Sequence, residues 1–239
     1  MPPDNRTDQK ILVESGIPVS ERQLEQFGEY AGLLLEWNGK VNLISRKDES
    51  NLWIGHILHS LSPLRRFKLP ERAVIADLGS GGGLPGIPMA IALPQAKVVL
   101  IESIRKKCSA LQDMVDRLSL GNIKILNARA EDAAALKEYG GAFDLILARA
   151  VAPLPDLIRW SRPLVAPKRN LVVQCLWDEP ESLPLPALIA MKGGELEKEI
   201  SDARRTPGIK CLKVVPVCLR PDEIPALANK SLLFIGLQR

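Results

Sequence analysis

The stretch from Asp77 to Pro88 reads DLGSGGGLPGIP and follows the short apolar run AVIA. It contains five glycines and two prolines. Glycine adopts left-handed backbone conformations at low cost and leaves no side chain to keep a ligand away from the main chain. A glycine-rich turn between an apolar strand and a helix is typical of cofactor-binding α/β proteins. The stretch therefore predicts a strand, a ligand-binding turn and a helix.

One interpretation of the turn is a dinucleotide site. Gly81, Gly83 and Gly86 match the G-x-G-x-x-G fingerprint. Glu102 ends the next apolar run, where a carboxylate can accept hydrogen bonds from both hydroxyls of a ribose. This spacing is compatible with an NAD(P)-dependent oxidoreductase.

Two further details favour S-adenosylmethionine. Asp77 stands two residues before Gly79, which gives the D-x-G-x-G-x-G form that this turn takes when the ligand carries no phosphate. A phosphate would require free N–H groups at the start of the helix, and Pro85 and Pro88 remove two of these donors. We therefore expect S-adenosylmethionine as the cofactor.

Around the turn, strand-like runs alternate with helical ones, which predicts a parallel sheet with helices on both faces. The strand-like runs are AVIADLG, KVVLIES, IKILNA and FDLILAR. Gly121 is the expected C-terminal glycine of the long helix after the second run. Of the later runs LVVQCLW and LPALIAM, the sequence leaves open which forms the fifth central strand. The last two, CLKVVPVCL and SLLFIGL, are expected to pair antiparallel at one side of the sheet.

The first part of the chain is predicted to be helical. Ser20 and Gln23 form a capping box before an apolar pattern of helical period, and Asp48 is the expected N-cap of a later helix. We divide the chain into an N-terminal helical cap, residues 1–70, and a cofactor-binding domain, residues 71–239, in one compact unit. The fold class predicted is α/β, a doubly wound Rossmann-like sheet with this cap.

Composition narrows the functional classes. The 239 residues are 46% hydrophobic and 25% charged, as in ordinary globular proteins. No apolar run approaches the roughly 18 residues of a membrane span, and the N-terminus has no apolar signal region. Four cysteines without a C-x-x-C pair and only two histidines argue against zinc. We expect a cytoplasmic monomer with reduced thiols, no metal and no membrane contact.

Several segments resemble one known family in their order along the chain. The glucose-inhibited-division B proteins are guanine-N(7) methyltransferases of bacterial small-subunit ribosomal RNA, and the likeness extends from about residue 30 to residue 165 and returns later in the chain. The segments that carry it are DLGSGGGLPGIPMAIALP, VVLIESIRKKCSALQ, ARAEDAA, FDLILARAVAPL and ALIAMKG. The resemblance implies a class I methyltransferase fold, S-adenosylmethionine as cofactor and small-subunit rRNA or the 30S particle as partner.

The resemblance also implies roles for individual residues. It places Arg149 at the rim near the reacting methyl group, at the carboxyl end of a central strand, although a surface salt bridge is an alternative for this residue. The remaining residues that it places around the cofactor are Gly79, Gly81, Gly83 and Leu84 on the methionine and ribose side, Glu102 at the ribose hydroxyls, and Ala130 and Glu131 at the adenine.

The residues favour some methylation chemistries over others. Carbon-5 methylation of pyrimidines requires a thiolate, and Cys175 lies in the apolar run LVVQCL. The Asn/Asp-Pro-Pro-aromatic loop of exocyclic amine methylation is replaced by ARAVAP. Ring nitrogen 7 of guanine has a free lone pair and no proton, so positioning can suffice. The residues considered for this positioning are Arg149, Asn42 and Lys192.

Two departures from the family pattern keep a rival interpretation open. The family typically reads His-x-x-Asp-Ser where this chain has HILHS, which puts His59 in the place of the acid. Residues 168–186 look like an insertion. A non-catalytic RNA-binding assembly factor with the same fold is therefore an alternative to the enzyme.

Basic clusters suggest how RNA could be held. The chain has 32 Lys and Arg against 28 Asp and Glu, a formal net charge of +4. Arg65 with Arg66, and Arg105 with the two lysines that follow, are expected to contact the RNA backbone. Binding should then weaken steeply with salt.

Overall fold

A computed structural model describes residues 5–167, 171–176, 181–218 and 223–239. The α-helices are α1 (Asn5–Glu14), α2 (Glu21–Asn38), α3 (His59–Arg66), α4 (Gly86–Ala92), α5 (Arg105–Arg117), α6 (Ala130–Ala133), α7 (Leu154–Ser161) and α8 (Glu197–Arg204). The strands are β1 (Phe67–Lys68), β2 (Val74–Leu78), β3 (Lys97–Glu102), β4 (Ile123–Asn127), β5 (Leu145–Arg149), β6 (Val172–Cys175), β7 (Ser182–Pro184), β8 (Ala187–Gly193), β9 (Ile209–Pro216) and β10 (Lys230–Leu237). Two 3₁₀ helices, Arg46–Asn51 and Pro225–Leu227, and one π-helix, Leu52–Leu58, complete the described elements.

The main sheet has seven strands in the order β4-β3-β2-β5-β8-β10-β9. The first five are parallel, and β10 runs antiparallel to both of its neighbours. This arrangement confirms the predicted doubly wound sheet and the antiparallel pairing of the last two strands. The order reverses at β2, whose neighbours β3 and β5 lead to opposite edges, and ligands of such sheets bind outside the carboxyl ends of the strands at that reversal.

The sheet also settles the open question of the fifth central strand. LPALIAM contains most of β8, which pairs with β5 in register from Leu145 opposite Ala187 to Arg149 opposite Met191. The run LVVQCLW instead contributes β6 to a separate three-stranded sheet, in the order β1-β6-β7. The insertion-like stretch 168–186 thus forms part of this second sheet, while residues 168–170 and 177–180 lie outside the described part of the chain.

Helices cover both faces of the main sheet. On one face, α2 to α5 pack through residues such as Phe27, Leu61 and Leu111. On the other, α7 packs through Leu157 and Ile158. Helices of the predicted cap and strands of the main sheet contribute to the same cluster of buried apolar residues. The division of the chain at residue 70 stays a prediction.

Local signals near helix ends were partly wrong. The capping box of Ser20 and Gln23 is present. Asp48 is not an N-cap, because Ser45 caps a 3₁₀ helix that already contains Asp48. Helix α5 ends before Gly121, and the left-handed residue after it is Ser119, with φ of 53°.

Candidate functional site

The glycine turn follows β2 directly and has the conformation that only glycine adopts easily. Gly79, Gly81 and Gly83 have φ of +65°, +55° and +88°. A Cβ on Gly79 would lie 2.9 Å from Val151, and one on Gly83 would lie 2.4 Å from Ile87. A Cβ on Gly81 would meet nothing closer than 3.9 Å. Two of these glycines are therefore required by packing, while Gly81 leaves open space beside the main chain.

Glu102 lies at the end of β3, opposite the turn. Its Oε2 accepts a hydrogen bond from the Gly81 N–H at 2.9 Å, and its Oε1 accepts one from the Ile104 N–H at 2.8 Å. The Asn127 side chain donates to the Glu102 carbonyl at 2.9 Å. The carboxylate is 6% exposed and is fixed from both sides, and each oxygen keeps a lone pair free. These free acceptors and the open space at Gly81 fit a ribose with two hydroxyl groups.

Asp77 is fully buried at the end of β2. Its Oδ2 accepts a hydrogen bond from the Gly86 N–H at 3.0 Å, whereas Oδ1 has no hydrogen-bond partner within the described ranges. Burial raises the pKa of this carboxyl group to about 7. A Cβ on Gly86 would lie 2.7 Å from Oδ2 and 2.2 Å from Leu100. Asp77 thus links the strand to the first turn of α4, and its Oδ1 is a buried acceptor without a partner among the described residues.

Two residues that support the turn were missed by the sequence reasoning. The buried Tyr30 hydroxyl donates to the Gly82 carbonyl at 2.9 Å. Asn38 Oδ1 accepts from the N–H groups of Leu43 and Ile44 at 2.8 and 2.9 Å, which fixes the loop that carries Asn42. A polar residue that interrupts the apolar stripe of a helix, as both do in α2, is the signal that could have identified them.

The predicted adenine side is more open. Ala130 is half-buried at the start of α6, and the exposed Glu131 lies 3.8 Å from the exposed Arg129. Leu84 is 4% exposed and its side chain packs into the core, so only its main chain is available to a cofactor. The structure brings the turn, Glu102 and α6 to the same carboxyl edge of the sheet.

A cavity of about 440 Å³ lies at this edge, next to the turn: Ala150 lines the cavity, and the following residue, Val151, packs against Gly79. The segments that form it are far apart in sequence: the helices over 46–59, the end of β5, the end of β8 and the residues just before β10. The residues that line it are Asp48, Asn51, Gly55, His56, His59, Arg149, Ala150, Met191, Lys192, Gly193, Ala226, Leu227 and Lys230.

Arg149 connects this cavity to the π-helix. Its guanidinium donates to His56 Nδ1 at 2.8 Å and to the carbonyls of Gly55 and His56 at 3.3 and 3.4 Å. Because a guanidinium can only donate, Nδ1 is unprotonated and the His56 proton is on Nε2. Ala150, which follows Arg149, has φ of 55°, a conformation uncommon for a residue with a side chain.

Both histidines are neutral at physiological pH. Burial, reinforced by the charge of Arg149, lowers the pKa of His56 to about 4 and that of His59 to about 3. His59 is 6% exposed, and its Nε2 has no hydrogen-bond partner among the residues described. His59, which stands where the family typically has an acid, therefore carries no charge at physiological pH.

Lys192 and Asn42 differ in their availability. The Lys192 ammonium is 2.6 Å from Glu199 Oε1 and donates to the Ala152 carbonyl at 2.7 Å, so it lines the cavity as part of an ion pair. Asn42 is exposed in the loop that passes the glycine turn.

The expectation that Arg65 and Arg66 hold RNA was wrong. Arg66 is 3% exposed and donates to the carbonyls of Pro216 and Val217, and Arg65 pairs with Glu223. These two arginines fasten α3 to the end of β9. The second basic cluster, from Arg105 at the start of α5, remains largely exposed next to the turn.

From the sequence we also expect no membrane span, no metal site and reduced cysteines. In the described ranges, no helix is long and apolar enough to cross a membrane, and no three acidic, cysteine or histidine side chains are grouped as metal ligands. All four cysteines are free.

The seven-stranded sheet, with five parallel strands, an antiparallel β10, a glycine turn after β2 and a carboxylate at the end of β3, is a Rossmann-like α/β architecture of the kind found in S-adenosylmethionine-dependent methyltransferases. Solved structures agree on this fold. A predicted O-methyltransferase from Agrobacterium tumefaciens, 19% identical, superposes with a TM-score of 0.54 over 75% of this chain and 79% of that one. TYW2 of M. jannaschii, solved in complex with AdoMet, is 12% identical and reaches 0.50 over 78% and 77%.

The sequence comparisons identify the family. The model of the family described as rRNA small subunit methyltransferase G matches residues 23–218. The Chlorobium luteolum ribosomal RNA small subunit methyltransferase G is 39% identical over 82% of this chain and 74% of the relative. The chain belongs to this family, which confirms the resemblance found in the sequence and leaves the oxidoreductase without support.

Proposed function

We propose that this protein transfers a methyl group from S-adenosylmethionine to ring nitrogen 7 of a guanine in small-subunit rRNA. The observation that carries the proposal is the junction of two sites at the carboxyl edge of the sheet, the glycine turn with Glu102 and the polar cavity beside Arg149. Membership of the rRNA small subunit methyltransferase G family supports the substrate class.

The residues of the turn fit the cofactor. Glu102 would accept both ribose hydroxyls through its free lone pairs, and the open space at Gly81 would admit the ribose to the main chain. Asp77, with its unpartnered oxygen, would favour the positively charged methionine part. Ala130 and Glu131 at the start of α6 would border the adenine. The cofactor supplies the electrophilic methyl group when bound.

The chemistry at ring nitrogen 7 suits the groups in the cavity. This nitrogen attacks through its own lone pair and loses no proton, so the reaction needs no base, and the neutral His56 and His59 are not required in that role. The chain's task is to hold the base and exclude water. Arg149, fixed by three hydrogen bonds to the π-helix, would set the wall between the cofactor and the base.

Asn42 and Lys192 would have different roles. Asn42 is exposed on the loop beside the turn and is available to the RNA. Lys192, paired with Glu199, would fix the floor of the cavity and not act as a free cation. The exposed cluster from Arg105 would contact the phosphates, and each lost contact should reduce the salt dependence of binding.

We further propose that the protein acts in the cytoplasm as a monomer on the 30S particle or its RNA. The test is incubation with tritiated S-adenosylmethionine and small subunits from cells that lack the corresponding gene. Incorporation of label into small-subunit rRNA supports the proposal. Binding of cofactor and RNA without incorporation would favour the non-catalytic assembly factor. Sedimentation of the protein alone and with subunits tests the oligomeric state and the preference for the particle.

A further inference from the structure

The cavity beside Arg149 contains an unpaired acid whose position no catalytic step requires. Asp48 is the one carboxylate among the described residues that line it, and five of the other lining residues are basic or histidine: His56, His59, Arg149, Lys192 and Lys230. Its side chain makes no ion pair or hydrogen bond with any other described residue, although its charge acts on His56 and Arg149 in the same cavity. An exposed carboxylate in a cavity that also contains Arg149 is placed to accept hydrogen bonds from a ligand.

We propose that Asp48 selects guanine by accepting hydrogen bonds from the ring N1–H and the exocyclic amino group of the base. This inference rests on the proposed function. Guanine and adenine both present a nucleophilic nitrogen 7, so the methylation chemistry alone does not separate them. They differ on the Watson–Crick edge, where guanine has two adjacent donors and adenine does not. A carboxylate accepts two parallel donors.

The groups that line the cavity suit the polar edge of guanine. Nitrogen 7 must face the methyl group of the cofactor, so the Watson–Crick edge would point away from it, and Asp48 lines the cavity with an exposed side chain. The His56 Nε2–H, left as a donor by the bond from Arg149 to Nδ1, lines the same cavity and suits the O6 acceptor of guanine. His56 and Asp48 thus supply one donor and one acceptor to the same cavity, and these are the two kinds of partner that O6 and N1–H of guanine require.

The contact would also strengthen as the reaction proceeds. Methylation of nitrogen 7 puts a positive charge on the purine and makes N1–H a stronger donor. An interaction that is stronger in the transition state than in the ground state increases kcat. Asp48 therefore acts on both base selection and turnover, without touching the methyl group.

The test compares two substrates that differ in one amino group. Small-subunit rRNA is prepared with guanine or inosine at the mapped position, since inosine lacks the exocyclic amine and keeps N1–H and nitrogen 7. We expect the wild-type protein to prefer guanine about tenfold in kcat/KM. Asp48→Ala should lose activity on guanine mainly in kcat, and its preference should fall to near one. Glu71→Ala, which removes an exposed acid before β2 at the opposite edge of the sheet, should keep the full preference.

The outcomes separate the two proposals. No transfer by the wild-type protein to guanine would overturn the proposed function. Transfer with an unchanged guanine preference in Asp48→Ala would overturn the role of Asp48 alone. If Asp48→Ala is too slow to assay, Asp48→Asn, which keeps one acceptor, is measured together with the ratio of the dissociation constants of both variants for the two RNAs. A ratio equal to that of the wild type contradicts the inference, and unchanged cofactor affinity shows that the variants are folded.

Discussion

The glycine turn and the cavity beside Arg149 lie next to each other, yet they are built in different ways. The turn is continuous in sequence, from Asp77 to Gly86, and its conformation follows from its own glycines. The cavity is assembled from four segments between residues 48 and 230, and its polar groups come together only through the fold. We therefore expect the turn to lose cofactor binding when a single substitution disturbs its backbone. The cavity should instead lose its function when a contact between its segments is removed.

The largest effect is expected where the turn is most crowded. In Gly86→Ala, the added Cβ would lie 2.2 Å from Leu100 and 2.7 Å from Asp77 Oδ2. We expect a loss of about 1–3 kcal/mol in the free energy of unfolding and no measurable cofactor binding by calorimetry. Gly32→Ala is the matched control, because nothing lies within 4 Å of its Cβ in the middle of α2, and it should stabilise by about 0.5–1 kcal/mol. Equal behaviour of the two variants would refute the packing argument.

Arg149→Lys tests the assembled site. Lysine cannot donate to His56 Nδ1 and to two carbonyls in the planar geometry of a guanidinium. We expect kcat to fall about 100-fold, as for a misplaced reacting group, while the dissociation constant of S-adenosylmethionine changes little. Steady-state kinetics and calorimetry measure the two separately. A large loss of cofactor affinity with normal kcat would place Arg149 in the wrong site.

Glu102→Gln keeps the size of the side chain but removes its charge and one of its two acceptor oxygens. Because the Gly81 and Ile104 N–H groups each bond to a different oxygen, one of them would face the amide NH2, and bonds from ribose hydroxyls would lose the charge that strengthens them. Hydrogen bonds to charged groups contribute about 1.5–3 kcal/mol, so cofactor affinity should fall about 10- to 100-fold. Glu138→Gln, which affects only an exposed pair with Lys124, is the control. Unchanged affinity in Glu102→Gln would contradict the role of this carboxylate.

The smallest effect concerns a histidine that lines the cavity, His59, and it is a pH dependence of stability. Because the folded-state pKa of His59, about 3, lies below the ordinary 6.5, unfolding takes up protons and stability falls as pH drops below 6.5. Asp77 has the opposite sign: its raised pKa, about 7, makes stability fall as pH rises from about 4 to 7. When the pH is lowered from 7.5 to 5.5, the free energy of unfolding of His59→Gln should therefore fall by about 1 kcal/mol less than that of the wild type. Urea unfolding at the two pH values measures this difference, and parallel pH curves for the two proteins would disprove it.

The same contrast explains what the sequence could predict. The glycine turn, the carboxylate at the end of β3 and the first four parallel strands follow from local patterns, and the structure has them where expected. Asp48 was interpreted as a helix cap and Arg66 as an RNA contact, because their sequence neighbours suggested nothing else. Their surroundings are set by distant segments, the cavity in one case and the end of β9 in the other. The pairing of Lys192 with Glu199 was hidden in the same way, since it joins β8 to α8.

The central claim is that a methyl group reaches ring nitrogen 7 of one guanine, and nucleoside analysis of the labelled rRNA tests it most directly. After reaction with tritiated S-adenosylmethionine, the RNA is digested and the labelled nucleoside is separated and identified. The account predicts that the label co-migrates with 7-methylguanosine and maps to a single guanine. Label on an exocyclic amine, a ribose hydroxyl or a pyrimidine carbon would contradict it, because each of those reactions needs groups that differ from those beside Arg149.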